Sequence, residues 1–171
     1  MLYPGTRISE EEFVLKMYTG AGAAPGFKYP DDRLLRLQGI IPGALLQRPE
    51  TVDQNGEPSL LVLKSGAATG VTIGRANGVF SYVRTYFQNN THQTSMEWSI
   101  LPLDSKSGIF SARGDSGSII VDGRGRIGGL LTGISGRTLS PDITYATPFF
   151  WLLPRIQKKG FPHAHIYPVM N

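Results

Sequence analysis

The sequence predicts a mainly β protein, a small antiparallel barrel or sandwich led by a short helical segment and closed by a C-terminal helix. Three observations predict it. From Ser59 onward, short runs rich in β-branched and aromatic residues alternate with turn pairs such as Asn77-Gly78 and Asp122-Gly123. Glycine, 21 of the 171 residues, falls mostly after position 65. No strand–helix–strand alternation occurs, which argues against a parallel sheet.

Residues 1–58 read as a helical and loop segment. Ser9 and Glu12 form a capping box, in which hydroxyl and carboxylate each satisfy a free backbone N–H. Phe13, Val14 and Met17 follow on one helical face, and Gly20 closes the helix. Asp31 or Asp32 is expected to cap a second short helix through Leu34, Leu35 and Leu37, ended by Gly39. Residues 40–58, with Pro42, Pro49, Gly56 and Pro58, are expected to be loop, with Asn55-Gly56 as a turn and Asp53 serving that turn.

Residues 59–157 hold the β domain. The expected strands are Leu60–Lys64, Gly70–Arg75, Val79–Tyr86, Met96–Leu103, Ser118–Val121, Ile127–Leu131 and Ile143–Ala146. Phe149–Gln157 reads as the closing helix, with Pro148 near its start and Pro154 interrupting it. Residues 158–171 are a tail.

Composition narrows the function classes. Hydrophobic residues at 40% and charged residues at 18% exclude a disordered chain. There is no cysteine, and the start MLYPGTRISEEEF lacks a basic region followed by an apolar run. A cytoplasmic protein is therefore expected. The longest apolar stretches, such as Phe149–Leu153, are too short to cross a bilayer, so no membrane partner is expected. The net charge is +4, but the basic residues are scattered, and Arg155, Lys158 and Lys159 suit a solvated helix end. No nucleic-acid partner is expected. His163-Ala164-His165 lacks a third metal ligand, and Gly123-Arg124-Gly125-Arg126 lacks the Lys-Ser/Thr pair of a phosphate loop. No metal and no cofactor are expected. Glu97 and Asp104 bracket a strand at odd spacing, which places them on opposite faces and argues against a paired-carboxylate site.

The chemistry-bearing run is Gly114-Asp115-Ser116-Gly117. A serine hydroxyl is a poor nucleophile unless a base takes its proton and donors stabilise the oxyanion. Glycines on both sides allow a tight turn that aims successive N–H groups into one concavity. The amides of Gly114 and Ser116 are the candidate oxyanion hole. A Gly-rich hairpin turn is the plain alternative.

The stretch around this run resembles the chymotrypsin/trypsin-like serine protease superfamily over about residues 59–157. Ser118–Val121, the hairpin Asp122–Arg126 and Ile127–Leu131 follow the serine in the family's order. Tyr145 falls at an aromatic position of the pocket-wall strand, and Trp151 lies early in the family's C-terminal helix. Lys64–Thr72 looks like the opening hairpin of the family's second barrel. More narrowly, Met96-Glu97-Trp98, Gly114–Gly117 and Thr144–Pro148 are similar to uncharacterised fungal proteins with a trypsin-like peptidase domain.

The resemblance implies a six-stranded antiparallel Greek-key barrel, the C-terminal half of the trypsin-like fold. It implies Ser116 as nucleophile, Gly114 and Ser116 as oxyanion hole, and Asp115 and Gly117 as support for the loop. Asp115 would act through a buried ion pair or hydrogen bond. Thr132, Gly133 and Ile134 would pair with an extended substrate. Phe110, six positions before Ser116, would floor the specificity pocket and favour apolar or small substrate residues; otherwise it is a core residue.

The chain also departs from the family. The family's histidine and aspartate lie in a first barrel, and residues 1–58 are too few to build one. His92 falls in a turn, and His163 and His165 follow the last helix. The expectation is a half-enzyme whose missing segment, peptide or protein substrate and base come from elsewhere. The rival is an inactive pseudoprotease that binds peptides or proteins.

Overall fold

A computed structural model describes residues 35–53, 55–135 and 143–167. The expected helix over Ser9–Gly20 and the caps Asp31 and Asp32 lie outside the described residues.

The strap Leu35–Ile41 corrects the second expected helix. It contains no helix. Its backbone bonds instead to the distant β hairpin: the Gln38 amide donates to Gly125 O at 2.9 Å and the Ile41 amide to Ile127 O at 2.9 Å. Ile40 forms a parallel bridge with Ile127. Leu35 and Leu37, two residues apart, both pack on one sheet face, as extended spacing requires. Partners offered by the sheet outcompete a short helix, whose nucleation is unfavourable.

Residues 40–58 are not all loop either. Helix α1 spans Gly43–Gln47, and the amides of Leu45 and Leu46 donate to Pro42 O at 3.0 and 3.2 Å. Pro42 sits at φ −59°, ready for a helix start. Leu46, 1% exposed, plugs the core. In the following loop Asp53 accepts the amides of Asn55 and Glu57 and pairs with Arg75.

Seven strands follow: β1 (Leu60–Gly66), β2 (Gly70–Ala76), β3 (Phe80–Tyr86), β4 (His92–Pro102), β5 (Ile119–Asp122), β6 (Ile127–Ile134) and β7 (Thr144–Pro148). Helix α2 (Phe149–Lys158) runs through the exposed Pro154. The strands form one antiparallel sheet in the order β2-β1-β5-β6-β7-β4-β3, and β2 also pairs with β4 through Gly74↔Pro102 and Arg75↔Leu101. The chain is therefore mainly β. Strand β4 starts earlier than expected, so His92 is not in the turn. It pairs with Tyr86 at the far end of the β3–β4 ribbon.

Both faces of the central strands are covered, which explains why β1 reads as the continuous apolar run Leu60–Leu63. One face meets the main core of Val62, Trp98, Ile100, Phe110, Ile120 and Leu131, joined by Ile41 and Leu46. The other carries Leu63, Val121 and Ile127 under Leu35, with Leu37, Phe149 and Ile166 packed alongside. Adjacent residues such as Val62 and Leu63 thus serve opposite cores.

Candidate functional site

The loop 111–118 leads into β5 and is held at both ends. Ser111 and Thr144 share a buried hydroxyl hydrogen bond of 2.6 Å, which ties the loop's start to β7. The Gly117 amide donates to Leu131 O at 2.8 Å, and the Leu131 amide returns a bond to Ser118 O at 2.9 Å. Between these anchors lie two tight turns, closed by Asp115 N–H to Ala112 O and by Ser118 N–H to Asp115 O. Gly114 and Gly117 sit at φ 101° and 87°, conformations that glycine reaches without a Cβ clash.

Asp115 is fully buried and turned away from solvent. Its carboxylate accepts the amides of Ala68 and Thr69 at 2.8 and 3.2 Å, the Thr69 hydroxyl at 2.7 Å and the Ala112 amide at 3.0 Å. Lys64 Nζ, equally buried, lies 3.3 Å from Asp115 Oδ2. The amine also donates to Thr69 Oγ1 and to Gly70 O, and sits 5.7 Å from the Phe110 ring centroid. Burial alone raises the Asp115 carboxyl. The Thr69 hydroxyl and the Ala112, Ala68 and Thr69 amides outweigh it and hold the group well below the usual carboxylate range. The loop is thereby pinned to the β1–β2 hairpin by a compensated internal charge pair.

That pinning needs Gly66. A Cβ there would lie 2.2 Å from Asp115 Oδ1 and 3.0 Å from Lys64 Nζ. Gly66→Ala is therefore expected to cost about 1–3 kcal/mol, the range for overpacking a filled interior. A urea midpoint equal to that of the unaltered chain would count against this account of the loop.

Ser116 is exposed, and its hydroxyl has no hydrogen-bond partner among the described residues. It lines an open groove of about 450 Å³ together with Leu37, Ser65, Ala67, Gly114, Gly117, Ser118 and Ile119. The amides of Gly114 and Ser116 donate to no backbone acceptor among the described residues.

The structure thus gathers Gly114, Ser116 and Gly117 at one groove, with Asp115 beneath. It does not bring Phe110 there. Phe110 is 1% exposed and packs in the main core against Gly74. Thr132, Gly133 and Ile134 lie on β6 just past the loop's anchor at Leu131. Thr132 is an extra residue between the pairs Leu131↔Ala146 and Gly133↔Tyr145, and its hydroxyl donates to Tyr145 O at 3.2 Å. Glu97, buried on β4, accepts the Thr147 hydroxyl at 2.9 Å. Pairing with β5 ends at Leu130, so the far edge of Thr132–Ile134 has no strand partner among the described residues.

No histidine lines the groove. His92 lies beside Tyr86 on the outer ribbon, with ring centroids 6.0 Å apart, and His163 and His165 are exposed beyond α2. Among the described residues there is no cluster of three or more metal-ligating side chains, and no helix is long and apolar enough to cross a membrane.

Lys64, Leu37, Ser65, Ala67 and Ile119 were not singled out from sequence as site residues. The one signal for Lys64 is a cation closing the apolar run Leu60–Leu63, which reads equally well as a strand end. No protein-family model matches the chain, and no curated protein matches it.

Proposed function

We propose that the chain is the nucleophile-bearing half of a trypsin-like serine endopeptidase, with a six-stranded Greek-key barrel and without a base of its own. The observation that carries this reading is the loop itself. A buried, charge-compensated Asp115 fixes a turn on which Ser116 is exposed beside two amides that donate to no backbone acceptor among the described residues. The β2–β4 pairing supports the barrel, because it joins β2-β1-β5-β6-β7-β4 into a ring with β3 outlying. The absence of cysteine supports a cytoplasmic setting.

In this reading Ser116 Oγ attacks the substrate's carbonyl carbon while the amides of Gly114 and Ser116 receive the developing oxyanion. The hydroxyl proton needs a base, and among the described residues no histidine or carboxylate lines the groove. An oxyanion hole without a base retains only a small part of the catalysis. Leu37, Ala67 and Ile119 favour an apolar or small residue at the cleaved position, a role that passes from Phe110 to the groove walls. A second reading, a pseudoprotease that binds peptide or protein, draws on the same lack of histidine.

A peptide boronate with an apolar terminal residue tests the nucleophile. The expected result is a tetrahedral boron signal by ¹¹B NMR, lost in Ser116→Ala, with no measurable hydrolysis of a peptide library. Boron that stays trigonal would overturn the assignment of Ser116. Hydrolysis at ordinary protease rates, abolished by Ser116→Ala, would overturn the absence of a base.

A further inference from the structure

We propose that two copies of this chain pair through the outer edge of β3, as an antiparallel two-fold dimer centred on Val83. The inference concerns the outlying β3–β4 ribbon and makes no use of the serine loop.

The first observation is the phase of that ribbon's ladder. Hydrogen bonds fix both ends: the Ser99 amide donates to Val79 O at 3.3 Å, and the Phe87 amide to Thr91 O at 2.9 Å. Between them the register runs from Phe80↔Trp98 to Tyr86↔His92 without a shift. Antiparallel neighbours alternate between pairs that exchange backbone bonds and pairs that do not. Val79 and Phe87 bond to β4, so Ser81, Val83 and Thr85 do as well. Phe80, Tyr82, Arg84 and Tyr86 therefore turn their N–H and C=O groups away from β4. Strand β3 ends the strand order, and no other strand among the described residues meets those groups.

The second observation is that the edge is unguarded. Monomeric proteins blunt such an edge with a bulge, a proline or charges. Strand β3 has seven residues, no bulge and no proline, and Arg84 is its one charge. The face that holds Phe80 against the main core also continues past the barrel. There it carries Tyr82, Tyr86 and Met96, which are 78%, 73% and 48% exposed.

Charge and phase together select a second copy and its register. Another β3 offers the same outward groups at the same spacing, and outward residues must meet outward residues. With the axis at Val83, Tyr82 lies opposite Arg84 of the second copy, and Phe80 lies opposite its Tyr86. All four outward residues are then bonded. Paired residues share a face, so the guanidinium reaches the tyrosine ring as a cation–π contact and Tyr86 covers the part-buried Phe80. Symmetry makes each contact twice. The adjacent registers are poorer. An axis at Arg84 sets two like charges directly opposite one another. An axis at Tyr82 leaves Tyr86 beyond the end of the facing strand.

The test is sedimentation velocity of the full chain from about 1 to about 100 μM, a range suited to a small interface. A species of twice the 18.7 kDa chain mass is expected at the upper end. Tyr82→Lys sets a like charge opposite Arg84 and should weaken association about tenfold or more. Adding Arg84→Glu to Tyr82→Lys makes that pair opposite in charge and should restore the dimer. Both residues are exposed, so the urea midpoint of the variants should match that of the unaltered chain at a concentration where it is monomeric. Exchange of the Tyr82 and Arg84 amides should slow as chain concentration rises. A monomer at the highest concentration overturns the proposal. Fast exchange of those amides would then mark an open edge, and slow exchange an edge covered by this chain's own residues. A dimer indifferent to Tyr82→Lys overturns the β3 edge as its interface. A dimer lost in Tyr82→Lys and not regained in the double variant overturns the Val83 axis.

Discussion

Asp115→Asn is expected to be among the most damaging single changes in the protein, at about 3–5 kcal/mol, the cost of leaving one partner of a buried ion pair uncompensated. Both Lys64 and Asp115 are fully buried, so neither charge can turn to water when the other is removed. The two partners are not equivalent. Without Lys64, the carboxylate keeps three amides and a hydroxyl. Without the carboxylate charge, Lys64 keeps the Thr69 hydroxyl and the Gly70 carbonyl as neutral acceptors. Lys64→Met should therefore be milder than Asp115→Asn. Urea unfolding of the two variants beside the unaltered chain gives the order, and an Asp115→Asn loss below about 1 kcal/mol would contradict the buried-pair account.

The same carboxyl makes a pH prediction. Its value in the folded state lies below its value in the unfolded chain. The stability it contributes is therefore fully present above the unfolded value, about pH 4, and is lost as pH falls through the folded value. Asp53 acts in the same direction. Burial alone raises it, and the Asn55 and Glu57 amides with Arg75 outweigh that burial. The urea midpoint should fall steadily as pH drops below about 4. A midpoint that is flat across that range would remove both carboxyls from the account.

Trp98→Ala is the second large effect, at about 3–5 kcal/mol for truncating a buried aromatic. Trp98 is 0% exposed at the centre of the main core. Its ring fills the space over Gly128, where a Cβ would lie 2.7 Å from it, and reaches Ile41 from the strap. Yet Trp98 Nε1 is buried without a hydrogen-bond partner among the described residues. An unsatisfied buried donor costs about 1–3 kcal/mol. Trp98→Phe removes that donor while keeping most of the ring, so it should cost far less than Trp98→Ala. Thermal unfolding of the pair checks this, and equal losses would show that the indole N–H finds a partner.

Much of the β domain was legible because turn chemistry and β-branched runs agree locally. Asn77-Gly78 and Asp122-Gly123 mark real strand ends, and Gly78 sits at φ 84°. What sequence missed was decided by distant partners. Leu35 and Leu37 fit a helix or an extended strap equally well until Gly125 and Ile127 supply backbone bonds. Gly43–Gln47 reads as loop because five residues flanked by prolines carry no period, and only the burial of Leu46 reveals why they coil. His92–Ser95 is polar, which hid the first turnless stretch of β4 paired to β3. At the site, the tetrapeptide was visible because its glycines are needed locally. Lys64 was not visible as the cation of Asp115, since β1 and the loop meet only through the folded sheet. The groove walls were equally hidden, because Leu37, Ala67 and Ile119 come from three separate segments.

The strap also redraws where the cooperative unit begins. A boundary at Ser59 separates the β domain in sequence, but Ile41 and Leu46 complete its main core and Leu35 seals its reverse face. The Gln38 and Ile41 amides are bonded to the same hairpin whose Ile127 amide is bonded back to Gly39. Amides that share such reciprocal closure open together, so their hydrogen exchange should report one event and not two. The β5–β6 hairpin that carries the serine loop into the sheet is thus latched from outside. Its exchange protection is inherited from residues that precede the first strand.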